Sequence, residues 1–256
     1  MAHDHSRKPE LQQLRDQIES QLSSTDPAVK AWCNETTLTR YLVAKDWNVQ
    51  KAAAMLRSTL KWRQQFQPHK ITWADVAHNA STGRVELLNS TDDLGRPVVL
   101  MRLRNEMAPS DHEHQLKFLV YTLERACELA DDAGHGKMSW LLEMEGYSPK
   151  NSPPFAVTKQ SISVLQNHYP ERLGYAVMAK PPRIFTVAWN ALYPFLDTET
   201  REKITFVKCD VVNSLKGVLG VDCIDVSMGG SRPGEFDLER YRERMIKLQS
   251  MHMQGS

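Results

Sequence analysis

The chain is 256 residues long and carries 32 Lys plus Arg against 31 Asp plus Glu, a formal net charge of +1. No global field draws it to nucleic acid, and any cationic site has to be local. Its 41% hydrophobic and 25% charged content is that of a soluble globular protein, long enough for one large core or two smaller ones.

The N-terminus, MAHDHSRKPE, has no apolar signal-type run, and no stretch approaches the roughly eighteen apolar residues that a membrane span needs. These features read as a cytoplasmic protein that meets membranes only at their surface. Cys33, Cys127, Cys209 and Cys223 lie far apart with no CxxC pair, which fits thiols in a reducing compartment better than a disulfide framework or a zinc site.

In chain order, residues 1–9 read as a flexible N-terminus. Leu11, Leu14, Ile18 and Leu22 place one apolar stripe on a short helix. Asp26-Pro27 reads as a cap followed by proline at the first helical position. A helix over 36–42 follows, and Asn48 caps a long one whose Val49, Ala52, Ala53, Leu56 and Leu60 share a face, ending near Pro68. Trp73 to Ala80 is a further short helix.

Turn chemistry at Thr91–Gly95 leads into the run Val98–Leu103, which reads as the first strand. Asp111 begins a helix carrying Leu116, Leu119, Val120, Leu123, Cys127 and Ala130 at helical spacing, closed by Gly134-His135-Gly136. Met138 to Met144 suits a strand covered on both faces. Ser152 to Tyr169 is helical, and Gly174–Ala179 and Ile204–Lys208 are short strands. The last segment, FDLERYRERMIKLQS, is a polar amphipathic helix. Strands alternating with helices argue an α/β layer on a largely parallel sheet.

Common catalytic patterns are missing. There is no GxxxxGK[ST] loop and no GxSxG elbow, and Gly134 and Gly136 lack the third glycine and preceding strand of a dinucleotide fingerprint. His112 and His114 flank Glu113 at a helix start, which points the rings to different faces, so no metal site is read there. His168 reads as a hydrogen-bonded structural histidine. The pairs Asp92-Asp93 and Asp131-Asp132 sit at turns or helix ends, where aspartate is expected on backbone grounds. The chain reads as a non-enzyme without a cofactor.

The distinctive stretch runs from Asn167 to Phe206. After Pro181-Pro182 comes a helix over 183–193, apolar nearly all round with Ile184, Phe185, Val187, Ala188, Trp189, Ala191, Leu192 and Tyr193. Such a helix has to be covered by core, lipid or ligand. Core burial is the plainer reading from composition; a lid over something apolar is the other. Asp197 caps the next helix, which makes Thr200 its third residue and puts Lys203 on the same face. Lysine supplies a point charge for phosphate, and Glu171 can accept from polyol hydroxyls. On spacing alone, the plainer reading is that Glu171, Arg172 and Lys203 are solvated surface residues.

Collinear motifs run along the chain: R-Y-L-V-A-K-D-W-N-V at 40–49, K-W-R at 61–63, D-x-x-G-R-P-V at 92–98, L-L-E-M-E-G at 141–146, YPERLG at 169–174, PFLD-x-x-T-x-x-K-I at 194–204 and Gly229-Gly230. Together they resemble the Sec14-like (CRAL-TRIO) lipid-binding family. The resemblance implies a helical N-terminal unit over 10–80, an αβα lipid-binding domain over 81–245 and a tail over 246–256. In that fold a mixed, largely parallel sheet lies under a helical gate that closes an apolar cavity.

The resemblance also implies phosphatidylinositol as the ligand, with Lys45, Glu171, Thr200 and Lys203 as headgroup residues. The first is usually arginine in the family and is often followed by a basic residue, where this chain has Lys45-Asp46. Positions that carry small hydroxyl side chains in members binding phosphatidylcholine are Met138 and Trp140 here, so the second ligand is expected to be less polar, a sterol for example, or absent. Phe185, Trp189, Leu192 and Phe195 are the expected gate and membrane contacts. The implied partners are phospholipid membranes, met transiently by a monomer, and a lipid kinase to which bound lipid is presented; nucleic acid is not among them.

Overall fold

A computed structural model describes residues 7–105 and 112–254 of the chain. Asp111, the expected start of a helix, lies outside the described residues. The chain divides into two compact units, one formed by the chain up to Lys70 together with Val164–Glu171, the other by Ile71–Ser163 and the chain from Arg172 onward.

The first unit is helical, with α1 (Lys8–Ser23), α2 (Pro27–Trp32), α3 (Glu35–Val43) and α4 (Val49–Phe66). Asp26, Asn34 and Asn48 each accept a first-turn backbone N–H at 3.0 Å. Each satisfies a donor that the helix cannot, worth about 1 kcal/mol. The stripe Leu14, Ile18 and Leu22 of α1 packs in one cluster with Ala52, Ala53, Leu56 and Leu60 of α4. Against α4 in the same unit lies the segment 164–171: the His168 ring stacks on Trp62 at 4.4 Å, and Tyr41 Oη donates to the His168 carbonyl at 3.3 Å.

The second unit contains, in order, α5 (Trp73–Ala80), β1 (Val85–Thr91), β2 (Pro97–Arg102), α6 (His112–Asp132), β3 (Met138–Glu143), α7 (Phe155–His168, its last turn counted in the first unit), β4 (Leu173–Ala179), α8 (Phe185–Leu192), α9 (Thr198–Glu202), β5 (Ile204–Val207), α10 (Val211–Ser214) and α11 (Leu238–Gln254). The sheet order is β1-β2-β3-β4-β5, with β1 antiparallel to β2 and every later pair parallel. This is the mixed, largely parallel sheet expected, with helical crossovers between its parallel strands.

The sequence reading starts the sheet at Val98; the structure starts it one strand earlier. In Val85–Thr91 the register shifts between Leu87 and Thr91, so Val85, Leu87 and Leu88 never make the strict alternation that announces a strand.

The turn from β1 to β2 is organised by Asp92, buried at 3% exposure. Its Oδ1 accepts from Leu94 N and Arg96 N at 3.0 and 2.9 Å. Its Oδ2 accepts from Arg96 Nε and from Ser139 Oγ on β3, both at 2.6 Å. Arg96 then runs across Gly174, where any Cβ would overlap its guanidinium. The glycine closing the YPERLG motif is therefore a close-approach residue, tied to the arginine of D-x-x-G-R-P-V.

Candidate functional site: an apolar sheet face beneath a short helix

Strand register sorts the sheet residues into two faces, and the two are covered very differently. Leu100, Leu141 and Val177 align across β2, β3 and β4. They form a dry cluster with Val98, Ala179, Val207 and the segment carrying Val211, Leu215, Leu219, Ile224 and Met228. At the strand ends of the same face Glu143 is fully buried. It accepts from Arg232 Nη2 at 3.2 Å, and the same nitrogen reaches Asp225 Oδ2 at 3.2 Å. Burial pushes the Glu143 carboxyl up, against the pull of Arg232 and Arg102.

On the opposite face the aligned rows are Val99–Trp140–Ala176–Ile204 and Met101–Leu142–Met178–Phe206. No residue in either row carries a hydroxyl or a charge. Met101, Trp140, Leu142 and Ile204 are only half-buried, and Phe206 is exposed. The one hydroxyl of β3, Ser139, points the other way, to Asp92. An apolar sheet face without full protein cover is the kind of surface on which an apolar ligand sits.

The partial cover is α8. Lys180 enters it with φ +51°, outside the region that suits a side chain, and Pro181-Pro182 prevents β4 from continuing as a ladder strand. Phe185 is buried and packs with Leu103, Met144 and Met178, joined by Ala188 and Trp189. Phe185 meets Tyr147 edge-on at 5.4 Å, and Trp189 meets Phe206 edge-on at 5.0 Å. The helix therefore turns one aromatic edge to the half-covered face. Its other side is bare: Ile184 is 52% and Val187 75% exposed. Sequence composition makes these residues equivalent; packing divides them.

At the far end of α8, Tyr193–Phe195 form a single 3-10 turn, and Leu192 is half-buried. Phe195 leaves the sheet and stacks edge-on against Phe155 of α7 at 5.9 Å, with Lys159 Nζ 4.4 Å from its ring centre. Asp197 caps α9 as expected: its Oδ1 accepts from Thr200 N at 2.7 Å and its Oδ2 from Thr200 Oγ1 at 2.9 Å.

The headgroup candidates fall in both units. Lys45 and Glu171 belong to the first, Thr200 and Lys203 to the second. Lys45 is half-buried in the turn after α3, where Asp46 and Trp47 both have positive φ. Glu171 is half-buried at φ +58°, a backbone strain of order 1 kcal/mol held by its surroundings. Thr200 and Lys203 are brought together on one turn, with Lys203 N donating to Thr200 O at 3.2 Å, and Lys203 Nζ pairs with Glu199. Of the second-ligand pair, Met138 is buried and Trp140 half-buried in the row described above.

Two neighbours of the candidate residues have structural roles. Arg172 is no solvated surface charge: it is 6% exposed, binds Asp131 through both nitrogens at 2.5 and 2.7 Å and donates to Gly136 O at 2.9 Å. It locks the end of α6 to the start of β4. His168 Nδ1 lies 3.0 Å from Thr59 Oγ1, and burial, with Arg63 adding to it, pushes its pKa down to about 4. Among the described residues no His, Cys, Asp and Glu cluster forms a metal site, and no helix is long and apolar enough to cross a membrane.

Comparison with known proteins gives the same architecture a family. The CRAL/TRIO domain matches residues 81–230 and the CRAL/TRIO N-terminal domain matches residues 10–58. A CRAL-TRIO domain-containing protein of Schizosaccharomyces pombe is 28% identical over 86% of this chain and 21% of its own length. The phosphatidylinositol transfer protein PDR17 of Saccharomyces cerevisiae is 30% identical over 69% of this chain and 53% of its own length. The chain thus spans about a fifth to a half of the curated relatives it matches. The crystal structure of Sfh5 superposes with a TM-score of 0.70 at 14% identity, covering 100% of both chains, which speaks to the fold. The chain belongs to the CRAL-TRIO family.

Proposed function

We propose that this chain binds phosphatidylinositol and exchanges it between membranes without chemical change, with the acyl chains on the half-covered face of β2–β5 beneath α8. The observation that carries the reading is that face: two aligned apolar rows, none of whose residues is polar, left partly uncovered in a chain of this family. Acyl chains of about thirty methylenes are worth on the order of 24 kcal/mol of transfer free energy. A lipid leaves a bilayer only for a surface equally dry. The half-buried Trp140, Leu142 and Met101 supply part of one, and the aromatic edge of α8 supplies part of its cover.

Lys45, Glu171, Thr200 and Lys203 are the proposed headgroup residues, and phospholipid membranes the proposed partners, met from the cytoplasm. Lys203 is the most direct handle, because it pairs with the exposed Glu199 one helical turn away, so removing it changes charge with little cost to the fold. Lys203→Ala is expected to lower phosphatidylinositol transfer between vesicles by roughly ten-fold while the thermal transition stays in place. Equal loss for every lipid assayed sinks the assignment.

A second reading is favoured by the row Val99–Trp140–Ala176–Ile204, which offers no hydroxyl to a second phospholipid headgroup: a carrier of a sterol or similar hydrophobe. Native mass spectrometry of the purified protein separates the two by the mass of what it carries.

A further inference from the structure

Ser148-Pro149 and Ser152-Pro153 are the only Ser-Pro or Thr-Pro pairs in the sequence, and both fall in the connection from β3 to α7. They flank a single 3-10 turn, Pro149–Asn151. The proline after each serine keeps that serine extended, with φ −138° and ψ 147° at Ser148 and φ −91° and ψ 143° at Ser152. Pro149, Lys150, Pro154 and Phe155 are exposed and the serines half-buried. One 3-10 turn has few bonds to lose, so the stretch opens at little cost. Between Glu145 and Glu171 the sequence holds no Asp or Glu. An anion added there meets no like charge along the chain, and the exposed Lys150 lies between the two serines.

The two hydroxyls have opposite roles. Ser148 Oγ accepts from Lys150 N at 3.3 Å. Ser152 Oγ donates to Ser148 O at 3.1 Å, a carbonyl that also accepts from Asn151 N at 2.9 Å. The stretch is tied at both ends: Asn151 Nδ2 donates to Arg104 O at 3.0 Å, and the Tyr147 ring meets Phe185 of α8 at 5.4 Å. A phosphate monoester near neutral pH offers acceptor oxygens and little or no donor. On Ser148 it would keep the accepting role. On Ser152 it would delete the donor and set negative oxygens against a carbonyl.

We propose that Ser152 is a phosphorylation site for a protein kinase that reads the proline after its acceptor, and that the phosphate releases the loop 147–152, and with it the Tyr147 edge that supports α8. Ser152 Oγ attacks the γ-phosphorus of ATP and forms the ester bond; the bond from that phosphorus to the bridging oxygen breaks and ADP leaves; the hydroxyl proton passes to the kinase's base. The site and the release stand on the loop itself, while their consequence for lipid exchange rests on the function proposed above.

The test treats the full chain with a proline-directed serine/threonine kinase and ATP, maps the phosphate by fragmentation mass spectrometry, and follows amide hydrogen exchange without vesicles. Phosphate is expected on Ser152, with the amides of Tyr147 and Asn151 exchanging roughly ten-fold faster, the worth of one lost hydrogen bond. Ser148→Ala should respond as the wild type does. Ser152→Ala should show the fast amides before the kinase is added and no change after it. No phosphate on Ser152, or a phosphate there that leaves these amides unchanged, overturns the proposal. Phosphatidylinositol transfer between vesicles should then rise on modification, by at most about ten-fold. Transfer that occurs but ignores the phosphate breaks the link from loop to α8. A chain that is phosphorylated and released as expected yet transfers no lipid in either form overturns the exchange reading instead and leaves the site standing.

Discussion

The two faces of the five-stranded sheet are built from the same kinds of residue and finished differently. One carries Leu100, Leu141 and Val177 into a dry cluster sealed by the segment from Val211 to Met228. The other carries Met101, Trp140 and Leu142 into partial exposure under an eight-residue helix. The polar apparatus of the unit sits with the first face: Asp92 with Ser139, and Glu143 with Arg232 and Asp225. The contrast teaches that the packing which stabilises the domain lies on one side of the layer, while the side proposed to hold the ligand is left partly open. The sealed face holds the domain together whether or not the other is occupied.

Neighbouring leucines on β3 give the sharpest way to break that division. Leu141 is 0% exposed on the sealed face, and Leu142, one residue on, is half-buried on the other. Leu141→Ala should cost about 3 kcal/mol by leaving a cavity in a surround that cannot collapse. Leu142→Ala should cost roughly 1 kcal/mol in lipid-free protein, since its site is already part open, yet lower the amount of carried lipid. Urea denaturation of delipidated protein and lipid quantitation measure the two effects. Equal costs would mean the faces are equally packed.

The loop that seals the first face depends on Gly230, where a Cβ would overlap the Ile224 carbonyl oxygen. Gly230→Ala forces that backbone apart, with an expected loss of about 2 kcal/mol, read as a lowered melting temperature without a change in the lipid carried by molecules that remain folded. Loss of carried lipid at a temperature where the circular dichroism is native would join the two faces and contradict the division.

How much of this is legible in the sequence follows from what each feature depends on. Helix starts are legible because capping is local: Asn48 and Asp197 cap where their side chains and the apolar runs after them say. The alternation of helix and strand is legible for the same reason. β1 is not, because its register shift hides the alternation.

Arg172 is not legible as structural either. Its partner Asp131 lies 41 positions away, and nothing within a few residues distinguishes it from the solvated charges beside it. The candidate site divides likewise. Motif order points to Thr200, Lys203 and the apolar helix. Which side of that helix is covered is a property of packing, so Phe185 and Val187 look alike in the sequence and lie at 8% and 75% exposure in the fold.

A further effect is in the pH dependence, and it tests whether the charges of the sealed face work as described. Asp92 is desolvated, which alone would raise its pKa, but the hydrogen bonds from Ser139 and Arg96 outweigh burial and hold its carboxyl below the usual range. A carboxyl depressed in the folded state contributes stability that is present above its unfolded pKa and is lost as pH falls through its folded pKa. Ser139→Ala removes one of those donors, so the folded pKa moves back up and the contribution shrinks. The variant should therefore be less stable than the wild type by about 1–2 kcal/mol at neutral pH, with the gap narrowing as pH drops below about 4 and both carboxyls take up a proton. Melting temperatures from acid to neutral pH show this as two converging curves. A gap that stays constant to low pH would mean that Ser139 contributes by packing and not by holding a charge. Carried lipid should be indifferent to the substitution, since the hydroxyl points to Asp92 and away from the face proposed to hold it.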